Sequence, residues 1–337
     1  MIRGNADSMA KIPLTLAIGE YDHVRDLADG TVPVAGVDLN VLRLPIEEMF
    51  YRFLVHGEFD ASEVSLAKLA ALTAQDDGRF VALPVFTSRV FRHSSIYVRR
   101  DGGIERPEQL AGKRIGVPEW AQTAAVYSRG LLCHEYGIDL ASIHWHQGGV
   151  NDPGRREKVA LVLPSGYRLD VVADRSLSEM LLAGDLDAVL SARAPAPFIA
   201  ADPRLRRLFA SPREAEVAYA RRTGIFPIMH VVALRRELFE RHRWLAMNLY
   251  KAFEEARRRS LERVADVTAS HFPLPWIPDE LERARELFGA NPWPYGIEGN
   301  RTTLDAFLSY AFEQGVCCRK LEAEMLFPVE VQQSFRV

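Results

Sequence analysis

The chain has 337 residues, of which 48% are hydrophobic and 26% charged, and its net charge is −3. Because one hydrophobic core rarely grows past about 250–300 residues, this length predicts two lobes. The nearly neutral balance gives no electrostatic basis for binding nucleic acid or an anionic membrane, so any recognition of anions must be local.

The start of the chain predicts a cytoplasmic protein. In its first ten residues polar and charged side chains interrupt the apolar ones, and the apolar run "IPLTLAIG" that follows is short and ends in charge. An export signal needs an apolar core of about 7–15 residues behind a basic start. No later segment reaches the ~18 apolar residues of a membrane span. The chain has three cysteines, Cys133, Cys317 and Cys318. An odd number without a metal-binding spacing favours a reducing compartment.

Two parts of the chain repeat one order of elements. "LTLAIGEYD", "AGVDLNVLRLP", "IEEMFYRFLVHG" and "EFDASEVS" correspond to "KRIGVPEWAQT", "YGIDLASIHWHQG", "SLSEMLLAG" and "DLDAVLSARAP". In the closest match, "GEFDAS" from Gly57 and "GDLDAV" from Gly184, a helix ends at glycine and a short buried strand follows. Helices that alternate with short apolar strands predict two similar α/β lobes with largely parallel sheets.

Two further stretches are typical of strands that join the lobes, "SSIYVRR" near residue 97 and "GIFPIMHVVALRR" near residue 229. After the second stretch the chain becomes mainly helical. This organisation resembles the two-lobed type 2 periplasmic-binding-protein architecture. We therefore expect residues 11–97 and 226–337 in lobe one, which includes the C-terminal helices, and residues 98–225 in lobe two. The ligand should bind in the cleft between them, at the carboxyl ends of the parallel strands.

The loops after the predicted strands contain the candidate site residues in lobe one. "GEYDH" offers Tyr21 and His23, although a polar turn explains the same residues. "SEVS" presents Glu63 or Ser65 to the cleft, and a helix N-cap is the alternative for the serines.

The corresponding loops of lobe two offer a second group. "VPEWAQT" opens a helix at Gln122 and Thr123, whose free N–H groups suit a carboxylate or phosphate. Glu119, at the mouth of that helix, would serve as an acid if it were held protonated. "LSARAP" directs Arg193 at the same cleft, with a solvated loop arginine as the alternative.

The stretch "PVFTSRVFRHSSIYVRR" carries a cationic group within an apolar strand, formed by Arg89, Arg92 and His93. A buried cation is costly without an anion, so we expect these three residues at the edge of the cleft, where they would meet substrate carboxylates. His144 and His146 share one face of a strand, but two ligands alone are a weak metal signal. His230, in the second joining stretch, is either a hydrogen-bonded core residue or a cleft residue.

Several consecutive blocks resemble the 4,5-dihydroxyphthalate decarboxylase family, from about Leu14 to Phe327. They are "PVFTSRVFRHSSIYVRRDGGIERPEQLAGKRIGVPEWAQTAAVYSRGLL", "IHWHQGGVNDPGRREK", "RRTGIFPIMHVVALRRELFERH" and "WPYGIEGNRTTLDAFLSYAFEQG". The resemblance implies a cytoplasmic lyase on a binding-protein fold, which converts a dihydroxylated phthalate into protocatechuate and carbon dioxide.

The resemblance gives the candidate residues provisional roles. Arg89, Arg92 and Arg193 would hold carboxylates, and His93, His23 or Glu119 would transfer protons. The remaining residues expected to bind the substrate are Tyr21, Glu63, Gln122, Thr123 and His230. No flavin, pyridoxal or metal cofactor is expected, because the phenol of the substrate absorbs the electron pair.

Two alternatives stay open at this point. One is a solute-binding protein for an aromatic or sulfonated anion, and the other is an enzyme that acts on a different carboxylated ring. The oligomeric state is also open, with a homo-oligomer as one option.

Overall fold

The computed structural model describes residues 11–333, in which strands and helices alternate. The ten residues on which the expected lack of an export signal rests lie outside the described residues, as do residues 334–337 of the predicted lobe one.

The strands are β1 Ile12–Ile18, β2 Val37–Arg43, β3 Ala61–Ser65, β4 Phe80–Arg89, β5 Ile96–Arg99, β6 Arg114–Val117, β7 His144–Gln147, β8 Arg168–Val171, β9 Ala188–Leu190, β10 Leu205–Arg207 and β11 Ile228–Arg235. The helices are α1 Asp22–Ala28, α2 Ile46–His56, α3 Leu66–Ala74, α4 Thr123–Tyr136, α5 Leu177–Ala183, α6 Ala196–Ile199, α7 Pro212–Thr223, α8 Arg236–Arg241, α9 Trp244–Ala265, α10 Ile277–Phe288 and α11 Arg301–Glu313.

The strands form two mixed sheets that repeat one order. The first sheet runs β2-β1-β3-β11-β4, and the second runs β10-β5-β9-β6-β7-β8. In the first sheet β1 lies between β2 and β3 and is parallel to both. In the second sheet β6 lies in the same way between β7 and β9. The predicted α/β class and the internal repeat are therefore present in the strand order.

The joining strands depart from the expected parallel pattern. β11 is antiparallel to both β3 and β4, and β5 is antiparallel to both β9 and β10. β5 enters the second sheet after β4 of the first, and β11 enters the first sheet after the elements of the second. A parallel connection within one sheet requires a helical crossover, and neither of these antiparallel strands needs one. β11 and β5 occupy equivalent positions, since β11 pairs with β3 and β5 pairs with β9, the strand that corresponds to β3 in the second sheet.

Two glycines end the matched helices in the way the sequence predicts. Gly57 follows α2 with φ 62°, and Gly184 follows α5 with φ 82°. This left-handed conformation has little cost for glycine and closes the last helical turn with backbone hydrogen bonds. In both halves the chain then enters a short strand, β3 or β9, which directs the following loop to the same region.

The C-terminal helices pack against both halves. α11 contacts α4, and α9 contacts α1. Gly130 in α4 allows the first of these contacts, because a Cβ atom there would lie 2.3 Å from the ring of Tyr310. No helix between residues 11 and 333 is both long enough and apolar enough to cross a membrane. All three cysteines are unpaired.

Candidate functional site

A cavity of about 990 Å³ lies between the two sheets. Strand β3 ends at its wall with Ser65, and β11 contributes His230 from the same sheet. From the second sheet, the loops after β6 and β9 contribute Gln122 and Ser191. The carboxyl ends of parallel strands therefore line the cavity from both sides, as is usual for ligand sites in open α/β sheets.

Glu119, directly after β6, is a buried carboxylate surrounded by cations. Its side chain is 1% exposed and accepts hydrogen bonds from Lys68 Nζ, from Arg155 Nε at 2.7 Å and from Lys158 Nζ at 3.1 Å. Burial by itself would raise the pKa of the Glu119 carboxyl, but the charges of Lys68, Lys158 and Arg155 outweigh it and lower this pKa to about 2. The expectation of a protonated Glu119 is therefore wrong, since three cations keep the carboxylate ionised.

The same ion cluster connects the two walls of the cavity. Lys68 belongs to α3 and Glu47 to α2, both attached to the first sheet, whereas Glu119, Arg155 and Lys158 follow strands of the second. Arg155 donates to Glu119 and also to Glu47 Oε1, at 2.8 Å. A buried ion pair that loses one partner costs about 3–5 kcal/mol, so these contacts favour the observed approach of the walls.

Glu63 forms a second buried carboxylate site behind the opposite wall. It is fully buried and accepts hydrogen bonds from Tyr21 Oη at 2.7 Å, from the Gly19 backbone N–H at 2.9 Å and from His230 Nδ1 at 2.6 Å. Burial would raise the pKa of the Glu63 carboxyl, but its hydrogen bonds, led by that from His230, lower it instead. An ionised Glu63 requires the proton on His230 Nδ1 and leaves Nε2 as the ring nitrogen available to a molecule in the cavity.

The strand register explains why these residues meet. β11 runs antiparallel to β3, with His230 opposite Ser65 and Val232 opposite Glu63. Side chains diagonal to one another on an antiparallel pair lie about 7–8 Å apart at Cα, which long side chains can span. His230 therefore reaches Glu63 on one side while its ring lines the cavity, where the ring of Phe50 packs edge-on against it.

Arg92 contributes a cation to the cavity wall, and Glu216, the carboxylate whose charge acts on it, forms no salt bridge with it. Its Nε donates to Met229 Sδ at 3.2 Å, and no carboxylate of residues 11–333 lies within 4.0 Å of its guanidinium. Burial lowers the pKa of Arg92 to about 10, which still leaves it charged at neutral pH. Arg193 also lines the cavity, but its side chain is 67% exposed and lies 3.6 Å from Glu47.

The helix that opens at Gln122 and Thr123 lies at the cavity, as the sequence predicts for both residues. The Thr123 hydroxyl pairs with Ser65 Oγ at 2.9 Å and accepts from the Ala67 N–H at 3.0 Å, so it connects the two sheets. Gln122 Oε1 is buried and has no hydrogen-bond partner in the described part of the chain. Gln122 is therefore the freer of the two residues for a ligand.

Arg89 and His93 do not reach the cavity, which corrects their expected position. Arg89 donates to the Phe226 carbonyl at 2.8 Å, and its guanidinium covers the Phe226 ring at 4.5 Å. His93 packs between the rings of Phe209 and Tyr219, and burial lowers its pKa to about 4. Successive side chains of a strand point to opposite faces, and in β4 it is Ser88 that lines the cavity.

Tyr21 and His23 lie behind the cavity wall. The His23 ring packs between Tyr21 and Trp293, at centroid distances of 5.2 and 5.3 Å, and burial lowers its pKa to about 4. At neutral pH the His23 ring is therefore uncharged and carries a proton on only one of its two nitrogens. Tyr21 acts through its hydrogen bond to Glu63.

Sequence reasoning missed all three cations that surround Glu119. Lys68 had a signal, because it is the one charged residue of the otherwise apolar helix "LAKLAALTA" and is 4% exposed. Arg155 and Lys158 had none, since "PGRREK" is indistinguishable from a solvated loop. His144 and His146 lie outside the cavity lining.

Comparisons with known proteins identify relatives along the whole chain. The 4,5-dihydroxyphthalate decarboxylase of Comamonas testosteroni is 40% identical over 330 residues, which are 98% of this chain and 100% of that protein. The 4,5-dihydroxyphthalate decarboxylase of Pseudomonas putida is 41% identical over 208 residues, 61% of this chain and 81% of that protein. No family model matches.

Solved structures show the fold. A putative periplasmic sulfonate-binding protein from Methylobacillus flagellatus has a TM-score of 0.55 at 12% identity, covering 95% of this chain and 92% of that one. The aliphatic sulphonate binding protein of Escherichia coli has a TM-score of 0.52 at 12% identity, covering 94% and 97%. The predicted periplasmic-binding-protein-like fold is confirmed.

Replacing Glu119 by glutamine should lower the free energy of unfolding at pH 7 by on the order of 3 kcal/mol. A carboxyl whose folded pKa is about 2, against an ordinary 4.5, contributes its full stability above the ordinary pKa and loses it as the pH falls toward the folded pKa. The difference between Glu119→Gln and the unaltered protein should therefore fall to roughly half by about pH 3.

Urea melts of both proteins across this pH range measure the effect. Glu58→Gln is the matched control, because Glu58 is an exposed carboxylate paired with Arg52, and its removal should leave the free energy of unfolding nearly unchanged. A stability difference for Glu119→Gln that stays constant with pH contradicts the ionised state.

Proposed function

The chain belongs to the 4,5-dihydroxyphthalate decarboxylase family, and from this we propose that it converts 4,5-dihydroxyphthalate into protocatechuate and carbon dioxide. The observation that carries the proposal is the 40% identity to the Comamonas testosteroni enzyme over that protein's full length. We place the reaction in the cavity between two lobes, residues 11–97 with 226–337 and residues 98–225. We also propose a cytoplasmic location, which the three unpaired cysteines support.

The reaction needs one proton at a ring carbon. Each carboxylate of this substrate is para to one hydroxyl, so electron density from the phenol oxygen allows the carbon that bears the carboxylate to accept a proton. The bond to the carboxylate then breaks, its electron pair restores the aromatic ring, and carbon dioxide leaves. One proton is consumed for each carbon dioxide released. The phenol is the electron sink, so our proposal includes no flavin, pyridoxal or metal.

His230 is the proposed proton donor. It lines the cavity, and Nδ1 is committed to Glu63, so a protonated ring presents Nε2–H to the substrate. The ionised Glu63 carboxylate stabilises the imidazolium, and Tyr21 and Gly19 hold that carboxylate in place. After it has donated the proton from Nε2, the ring regains one from water at the same nitrogen, because Nδ1 stays bound to Glu63.

Arg92 is the proposed anchor for the carboxylate that stays on the ring. The substrate is symmetric, and loss of either carboxylate gives the same product, so the site must distinguish them by position. A guanidinium that forms no salt bridge within residues 11–333 is free to bind one carboxylate in bidentate fashion. The three cations around Glu119 are balanced by Glu119, Glu47 and Glu157 and are therefore less suited to this role. Gln122 and Arg193 remain as further polar contacts.

The direct test is incubation of the purified protein with 4,5-dihydroxyphthalate while protocatechuate and carbon dioxide are measured. We expect both products in equal amounts, with phthalate, which lacks the phenols, unreacted. Tight binding of 4,5-dihydroxyphthalate without product would instead indicate a solute-binding protein. Turnover of another carboxylated phenol alone would keep the chemistry and change the substrate.

His230→Ala should lower kcat by about a hundredfold to ten-thousandfold, which is the usual contribution of a general acid. Substrate affinity should change much less, because Arg92 remains. His134→Ala is the matched control, since His134 is an exposed histidine that pairs with Glu313 far from the cavity lining. Steady-state kinetics and thermal melts of both variants decide the outcome, and a folded His230→Ala protein with unaltered kcat would remove His230 from the mechanism.

Arg92→Ala should lower kcat/KM by about tenfold to a hundredfold or more, mainly through KM, because a hydrogen bond between charged groups contributes about 1.5–3 kcal/mol and each 1.4 kcal/mol is about tenfold. Arg92→Lys should recover part of the loss, since it keeps the charge without the bidentate geometry. Arg204→Ala, which removes an exposed arginine paired with Asp202, is the control and should be neutral. Equal KM values for Arg92→Ala and the unaltered protein would refute the anchor.

A further inference from the structure

Three potential metal ligands lie together on the second sheet, outside the cavity. His144 and His146 belong to β7 and Asp170 belongs to the neighbouring strand β8. Alternation along β7 directs both histidines to one face. The parallel register places Asp170 directly opposite His146, so its carboxylate joins the same face.

The donor atoms are close enough for one ion. One nitrogen or oxygen from each of the three residues lies within 4.8 Å of the others, and His144 Nε2 and Asp170 Oδ2 are 2.7 Å apart. Zinc binds nitrogen and oxygen ligands at about 2.0–2.1 Å, so two ligand atoms in a tetrahedral zinc site lie about 3.3 Å from each other. Small side-chain rotations suffice to reach that spacing from strands whose backbones are fixed by the sheet.

His146 supplies an independent sign of a missing partner. Its Nε2 is buried and has no hydrogen-bond partner in the described part of the chain. Buried polar nitrogens are nearly always paired in folded proteins. The neighbouring cation Arg114, opposite His144 on β6, has its charge matched by Asp187 at 3.0 Å, which reduces its repulsion of a metal ion.

We propose that His144, His146 and Asp170 bind a divalent transition-metal ion of the zinc class, with water completing its coordination. Two imidazoles and one carboxylate favour zinc, cobalt or nickel over magnesium and calcium, which prefer oxygen ligands. The ion ties β8, which is the edge strand of the second sheet, to β7. None of the three ligands lines the cavity, so the ion has no part in the decarboxylation.

The test uses the full chain without a histidine tag, stripped with a chelator and then titrated with zinc, cobalt or nickel ions by calorimetry. We expect one ion per chain bound at this site, a higher melting temperature and, with cobalt, the visible absorption of a four-coordinate ion. Magnesium and calcium at the same concentration should leave the melting temperature unchanged. No binding of any of the three transition metals overturns the proposal.

Metal titrations of single-residue variants test whether the ion binds at His144, His146 and Asp170. His146→Ala and Asp170→Asn should each weaken binding at least tenfold, and Asp170→Asn changes an exposed side chain, so it keeps the test decisive if His146→Ala does not fold. His271→Ala is the matched control, because His271 pairs with Asp266 at 2.8 Å in the same way and belongs to no group of three ligands among the described residues. Equal weakening by His271→Ala, or none by the first two variants, overturns the assignment.

This test does not depend on the proposed reaction, because binding and melting are measured without substrate. If the protein proves active, the stripped form should decarboxylate at the same rate as the metal-loaded form. A rate that falls on stripping and returns with metal would place the ion in the cavity and overturn the proposal as stated.

Discussion

The buried carboxylate of Glu119 is the constraint on which the rest of the cleft depends. An ionised group this far from water is stable only if cations compensate it, and those cations come from both halves of the chain. Lys68 reaches it from a helix of the first sheet, while Arg155 joins it to Glu47 across the cavity. The spacing of the two walls, and with it the shape of the space left for a ligand, follows from satisfying this one charge.

Two buried glutamates near the cavity have different kinds of partner. Glu119 is surrounded by lysine and arginine side chains, whose charges lower the pKa of its carboxyl and keep it ionised. Glu63 is paired instead with a tyrosine and a histidine, which each form a hydrogen bond to its carboxylate. In the mechanism that we propose, proton transfer takes place on the His230 side of the cavity, while the ion pairs of Glu119 hold the two walls together. The fold is similar to that of sulfonate-binding proteins, and in our proposal the histidine held by Glu63 adds proton transfer to this fold.

The internal repeat explains how these groups come together. Each half contributes the same parallel unit, and each accepts one antiparallel strand that arrives from the other half. That strand, β11 in the first sheet, carries His230 directly beside β3, which carries Glu63. The connection between the lobes is therefore also the element that completes the candidate site. On the second sheet the repeated unit is extended instead by β8, and it is this extra edge strand that brings Asp170 to the two histidines of β7.

The sequence by itself determined the α/β class, the repeated units with their terminal glycines, and the family, because local periodicity, helix caps and consecutive matching blocks are all properties of neighbouring residues. It also placed Arg92, Gln122, Thr123, Arg193 and His230 among the candidates that line the cavity. The tertiary structure decided which face of β4 meets the cavity, and it directed Arg89 and His93 into packing contacts with aromatic rings. It also decided the ionisation of Glu119 and the pairing of His230 with Glu63, residues 167 positions apart in the chain. These properties depend on burial and on charges brought together from distant segments, and neither can be read from the spacing of residues along the chain.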